Sequence, residues 1–194
     1  MTRVAMALVL LSAAAAAAEP AKFGKEHMMS TVACAVESYR YTGAAELAAR
    51  RGETKAEIAS AVFELKSPGQ TDEQRRAAAE QAAEYALSHS RAQAEQLAEE
   101  KFAACLKAGN LPVDQENVPN CWRSVRRLDD IIAQREQGVS KETMLERAAV
   151  MEATNPAAGR TVHTMVEQVY GWERSFPELS LGQLISCVGS QRGR

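Results

Sequence analysis

The chain has 194 residues, with 23 Lys+Arg against 25 Asp+Glu and only 5% aromatics. Its lysines and arginines are spread along the chain rather than gathered on one segment, which argues against a nucleic-acid partner. Alanine, glutamate, arginine, leucine and glutamine dominate, and β-branched residues form no alternating runs, so the expected class is all-α.

Residues 1–18 read as a secretory signal peptide. Arg3 precedes the apolar run Val4 to Leu11 and the alanine tract Ala13 to Ala18, with small residues at Ala16 and Ala18 ahead of Glu19-Pro20. Losing Arg3 leaves 22 Lys+Arg against 25 Asp+Glu, a formal charge of −3. No later stretch approaches the ~20 apolar residues of a membrane span. A periplasmic or secreted protein is expected, with no membrane span after signal removal.

A first helix is expected over 25–50, stopped by Gly52. The capping box Thr54-x-x-Glu57 opens a second, to Lys66, and Ser67-Pro68-Gly69 breaks the chain. Thr71-x-x-Gln74 opens a third helix, to Ser88, and a fourth runs from Arg91 to Ala108 before Gly109. Residues 111–119, with Pro112 and Pro119 and no apolar period, read as a linker. Asn120 then caps a helix over 121–137, stopped by Gly138, and Ser140 caps the next, to Ala153. Asn155-Pro156 breaks the chain ahead of a helix over 159–172. After Phe176-Pro177, Ser180-x-x-Gln183 caps a short last helix through Cys187, ended by Gly189.

This order of elements repeats. Cys34, Gly52, Tyr85 and Cys105 are separated by 18, 33 and 20 positions; Cys121, Gly138, Tyr170 and Cys187 by 17, 32 and 17. Glu80-Gln81 and Glu167-Gln168 both lie shortly before the tyrosine. The spacing implies two copies of one unit of about four helices, over 19–110 and 120–194. Four cysteines in an exported chain read as disulfides with three possible connectivities. Duplication selects Cys34–Cys105 and Cys121–Cys187, each unit closing itself. The helix faces agree: Cys121, Val125, Leu128 and Ile132 form one apolar stripe, and Leu181, Leu184, Ile185 and Val188 another beside Cys187. A unit of ~70 residues buries little surface alone, and each bridge is worth about 4 kcal/mol on the chain-entropy model.

The stretch from Cys121 through Arg135-Glu136-Gln137-Gly138-Val139-Ser140 and Val169-Tyr170 to Cys187 resembles a group of small exported helical two-Cys bacterial proteins of unknown function. The resemblance implies a stapled helical fold and export. It carries no catalytic residue, and the doubling departs from the single-unit pattern.

His27, His89 and His163 form no HExxH arrangement, and neither a phosphate-binding glycine loop nor a Gly-x-Ser-x-Gly elbow occurs. With all four cysteines assigned to bridges, no enzyme and no cofactor is expected. The expected function is protein–protein interaction with an envelope or extracellular partner, of the inhibitor, immunity or shielding type. Trp172 and Tyr170, at a helix end before a proline, and the cluster Arg123, Arg126 and Arg127 are the candidate contact residues. The alternative is soft-metal binding, with copper as the ion, because His27-Met28-Met29 and His163-Thr164-Met165 set imidazole beside thioether.

Overall fold

The computed structural model describes residues 23–49 and 53–191; the expected signal peptide and the stop at Gly52 lie outside them. Among the described residues there are eight α-helices and no strand: α1 (Lys25–Ala48), α2 (Lys55–Phe63), α3 (Asp72–Ser88), α4 (Arg91–Ala108), α5 (Val118–Glu136), α6 (Lys141–Thr154), α7 (Pro156–Tyr170) and α8 (Phe176–Ser190). The protein is all-α, and no helix among the described residues is long and apolar enough to cross a membrane.

Local chemistry sets the starts. The hydroxyls of Thr54, Thr71, Ser90 and Ser140 each accept from the backbone N–H three residues on, meeting donors that a helix N-terminus otherwise leaves bare. Three starts fall earlier than the sequence suggests. Helix α5 begins at Val118 with Pro119 in its first turn; α7 begins at Pro156, with Asn155 Oδ1 accepting from Ala158 N at 3.1 Å; α8 begins at Phe176, followed by Pro177. A first-turn position has no intrahelical use for the N–H that proline lacks, so Pro119, Pro156 and Pro177 open helices, whereas Pro68 lies in the turn between α2 and α3 as expected. Ser180 accordingly lies inside α8 and caps nothing.

Cys34–Cys105 ties α1 to α4 and Cys121–Cys187 ties α5 to α8, both with Cα atoms 5.6 Å apart. In the first half α1 packs on α4 and α3, and α2 on α3. In the second half α5 packs on α8 and α7, and α6 on α7. The α6–α7 pair is close because Gly159 faces the Glu152 backbone, where a Cβ would sit 2.3 Å from Glu152 Cα.

The cores do not divide at 111–119. The first cluster takes its apolar residues from α1–α4, then adds Val118, Cys121, Trp122 and Val125 of α5 and Leu184 and Val188 of α8. Trp122, 1% exposed, lies 5.1 Å from the Phe102 ring and 5.0 Å from Tyr39. Leu111 and Val113 are buried in the same cluster, and Asp114 N donates to Gln191 O at 2.7 Å, so the segment expected as a linker is packed into the fold. The second cluster joins Leu128, Ile131 and Ile132 of α5 to Met144 and Ala148 of α6, to Val162, Val166 and Val169 of α7, and to Leu179. Helix α5 thus serves both cores, and the two halves form one packed body.

Candidate functional site at the seam between the halves

Where α5 crosses from one core to the other it carries Arg126 and Asp129, one helical turn apart. Both are largely buried, so both require partners. Asp129 Oδ2 accepts from Tyr39 Oη of α1 at 2.9 Å and from Arg126 Nη1 at 2.9 Å; its Oδ1 accepts from Ser180 Oγ of α8 at 2.5 Å. Arg126 spends its other donors on α4 and α1: Nε and Nη2 on Glu95 at 3.2 and 3.1 Å, and Nη2 on Glu46 at 3.0 Å. Four helices from both halves therefore meet on one polar network. Burial pushes the Asp129 carboxyl up, against the hydrogen bond from Ser180, the charge of Arg126 and the hydrogen bond from Tyr39. Burial, then the Asp129 charge, raises the Tyr39 phenol above its usual range. Burial opposes the Arg126 charge, but the bond to Glu95 and the charges of Glu95 and Asp129 outweigh it and raise its pKa. The phenol stays neutral and the guanidinium charged, the states that keep every donor in place.

Two depressions flank this network. One, of about 390 Å³, lies over α4 and α5 and is bordered by Glu95, Glu99, Trp122, Arg123, Arg126 and Arg127. The three arginines picked out in the sequence converge here. Arg123 is exposed and binds Glu99 through Nε at 2.7 Å and Nη2 at 2.5 Å; Arg127 is exposed; Arg126 is mostly buried in the network. The other depression, of about 620 Å³, is a cleft between α1, α5 and the start of α8, with Tyr39, Ile132, Phe176 and Leu181 among its walls.

The remaining sequence candidates fall elsewhere. Tyr170 is half-buried, and its hydroxyl donates to the Val139 carbonyl in the α5–α6 turn, where Gly138 takes φ +83°. Arg135 lies over the Tyr170 and Phe176 rings at 5.6 and 5.1 Å and donates to the carbonyls of Val169 and Trp172 at the end of α7. Arg135, Gly138, Val139 and Tyr170, residues that carry the resemblance of the second half, thus form one clamp. Trp172 is half-buried against the second cluster, its Nε1 donating to Ser175 O at 3.1 Å. His27 accepts from Gly24 N at 3.0 Å through Nδ1, with Met28 and Met29 exposed beside it. His163 is exposed whereas Met165 is 5% exposed in the second core, so this pair faces opposite sides of α7. Among the described residues no group of three His, Cys, Asp or Glu is placed to hold a metal ion.

Sequence reasoning missed Tyr39, Asp129, Ser180 and Glu95. The one local signal is the Arg126–Asp129 spacing of three; the partners are remote in the chain and become neighbours only once the halves dock. No family model matches the sequence, and no curated protein or solved structure matches it.

Proposed function

We propose that this is an exported, non-enzymatic binding protein that holds a protein partner on the face formed by α4 and α5. The observation that carries the reading is the convergence of Arg123, Arg126 and Arg127 with Glu95 and Glu99 around one depression. That depression lies between helices each fixed by its own disulfide. A rigid face of alternating sign suits a partner with complementary charges; such faces contribute specificity and association rate more than raw affinity. Nothing there resembles the one-signed stripe that tracks a phosphate backbone. Two further features support a scaffold rather than a catalyst. Every cysteine is bridged, and the most buried carboxylate of the seam, Asp129, is occupied by three donors. Export rests on the leader-like residues 1–18 and fits the two bridges.

The test is capture from an envelope extract on immobilised protein, residues 19–194, with retained proteins identified by mass spectrometry. A stoichiometric protein should be retained, and the double variant Arg123→Ala, Arg127→Glu should lose it while remaining folded, with the melting temperature read alongside because Arg123 pairs with Glu99. Retention unaffected by that variant would remove the α4–α5 face as the interface.

A further inference from the structure

We propose that the cleft between α1, α5 and α8 is a binding site for a small organic cation with an apolar body. This cleft adjoins the partner face, sharing Arg126 and Asp130 with it, but has its apolar walls on α5 and the start of α8. The cleft, about 620 Å³, falls within the range of ligand pockets. Its walls include Ile132, Ala133, Phe176, Pro177 and Leu181, which give an apolar body something to displace water from. Its charged lining is Glu46, Asp129, Asp130 and Glu136 against Arg91 and Arg126, a formal balance of −2.

That imbalance is directional. Arg126 directs its donors at Glu46, Glu95 and Asp129, so it is not spare for an anion, and Arg91 lies 3.7 Å from Glu46 and 3.9 Å from Glu95, which offset its charge. Asp130 and Glu136 sit six residues apart on α5, about one and two-thirds turns, both exposed, and make no ion pair among the described residues. Asp130 is exposed at the surface, yet partial desolvation of its carboxyl, with Glu95 and Glu46 nearby, holds it above its ordinary value against the pull of Arg126 and Arg91. A cation entering the cleft relieves that opposition; an anion adds to it. An ammonium or guanidinium group therefore sits at the Asp130–Glu136 rim with its apolar body along Phe176 and Leu181.

The experiment uses three fluorescent probes that share a dansyl body: dansylcadaverine, its N-acetylated neutral form, and dansyl-6-aminohexanoate. Each is titrated into the 19–194 protein at low ionic strength. Dansylcadaverine should bind saturably, about tenfold tighter than the neutral probe, with the carboxylate weakest. Asp130→Asn with Glu136→Gln should bring the cationic probe to the affinity of the neutral one. Ala133→Phe, placed in the cleft wall, should weaken all three, with the melting temperature read alongside. Equal affinities for the three probes, a preference for the carboxylate, or no saturation would each overturn the proposal. Arg123→Ala with Arg127→Glu, which tests the partner face, should leave probe binding intact, so the two readings fail separately.

Discussion

Tyr39 Oη donates to Asp129 Oδ2 at 2.9 Å, joining α1 of the first half to α5 of the second across 90 positions of chain. The bond makes the seam specific as well as apolar, because Asp129 also takes Arg126 and Ser180. Asp129→Ala removes the acceptor from three buried donors at once and leaves the Arg126 charge short of a partner. The expected cost is about 3 kcal/mol. Tyr39→Phe deletes one donor and keeps the ring against Trp122, so about 1 kcal/mol is expected. Urea denaturation of both variants checks the order; equal small losses would mean the network adds nothing at the seam.

The clamp at the end of α7 is expected to be structural. Tyr170→Phe loses the bond to Val139 O and should cost about 1 kcal/mol. Gly138→Ala, at φ +83°, should cost about the same through backbone strain. Neither should alter capture of a partner by the α4–α5 face. A Tyr170→Phe variant that keeps its melting temperature but loses the partner would return Tyr170 to the contact surface.

Glu57 offers a pH test with a definite sign. The Thr54 backbone N–H, then the Thr54 hydroxyl, hold its carboxyl below the ordinary glutamate value. A carboxyl depressed in the folded state contributes stability above its unfolded value, about 4.3, and loses it as pH falls through the folded one. The melting-temperature gap between the wild type and Glu57→Gln should therefore be widest near neutrality and narrow below about pH 4. A gap that widens on acidification would contradict the assignment.

The helices were legible because their signals are local. Thr54, Thr71 and Ser140 announce starts through a side chain reaching three residues ahead, and the Cys spacing carries the pairing once the repeat is seen. The prolines misled because residue type does not say which side of a helix start a proline occupies; Pro119, Pro156 and Pro177 all sit in first turns. The seam was out of reach for a different reason. Treating 111–119 as a linker hid the docking of the halves, and with it every partner of Asp129. Leu111 and Val113 belong to the core, but two apolar residues on either side of Pro112 carry no period to reveal it.

Uneven bridging of the two cores leads to a last prediction. Both disulfides lie in the first cluster, along with Trp122 and Phe102. The α6–α7 hairpin instead belongs to the second cluster, held by Leu128, Ile131 and Ile132 of α5 and by Leu179, with no bridge of its own. Local opening follows the weakest packed unit, so α6 and α7 amides should exchange through an opening of lower free energy than those of α1, α4 and the first half of α5. Replacing Cys121 and Cys187 by serine should lower global stability by about 4 kcal/mol, since a loop of 66 residues is released. The hairpin's own exchange should change little until that global limit drops to meet it. Native-state hydrogen exchange on the wild type and the double variant reads both effects. A hairpin protected as strongly as α1 in the wild type would show instead that the shared helix α5 couples the two clusters into one cooperative unit.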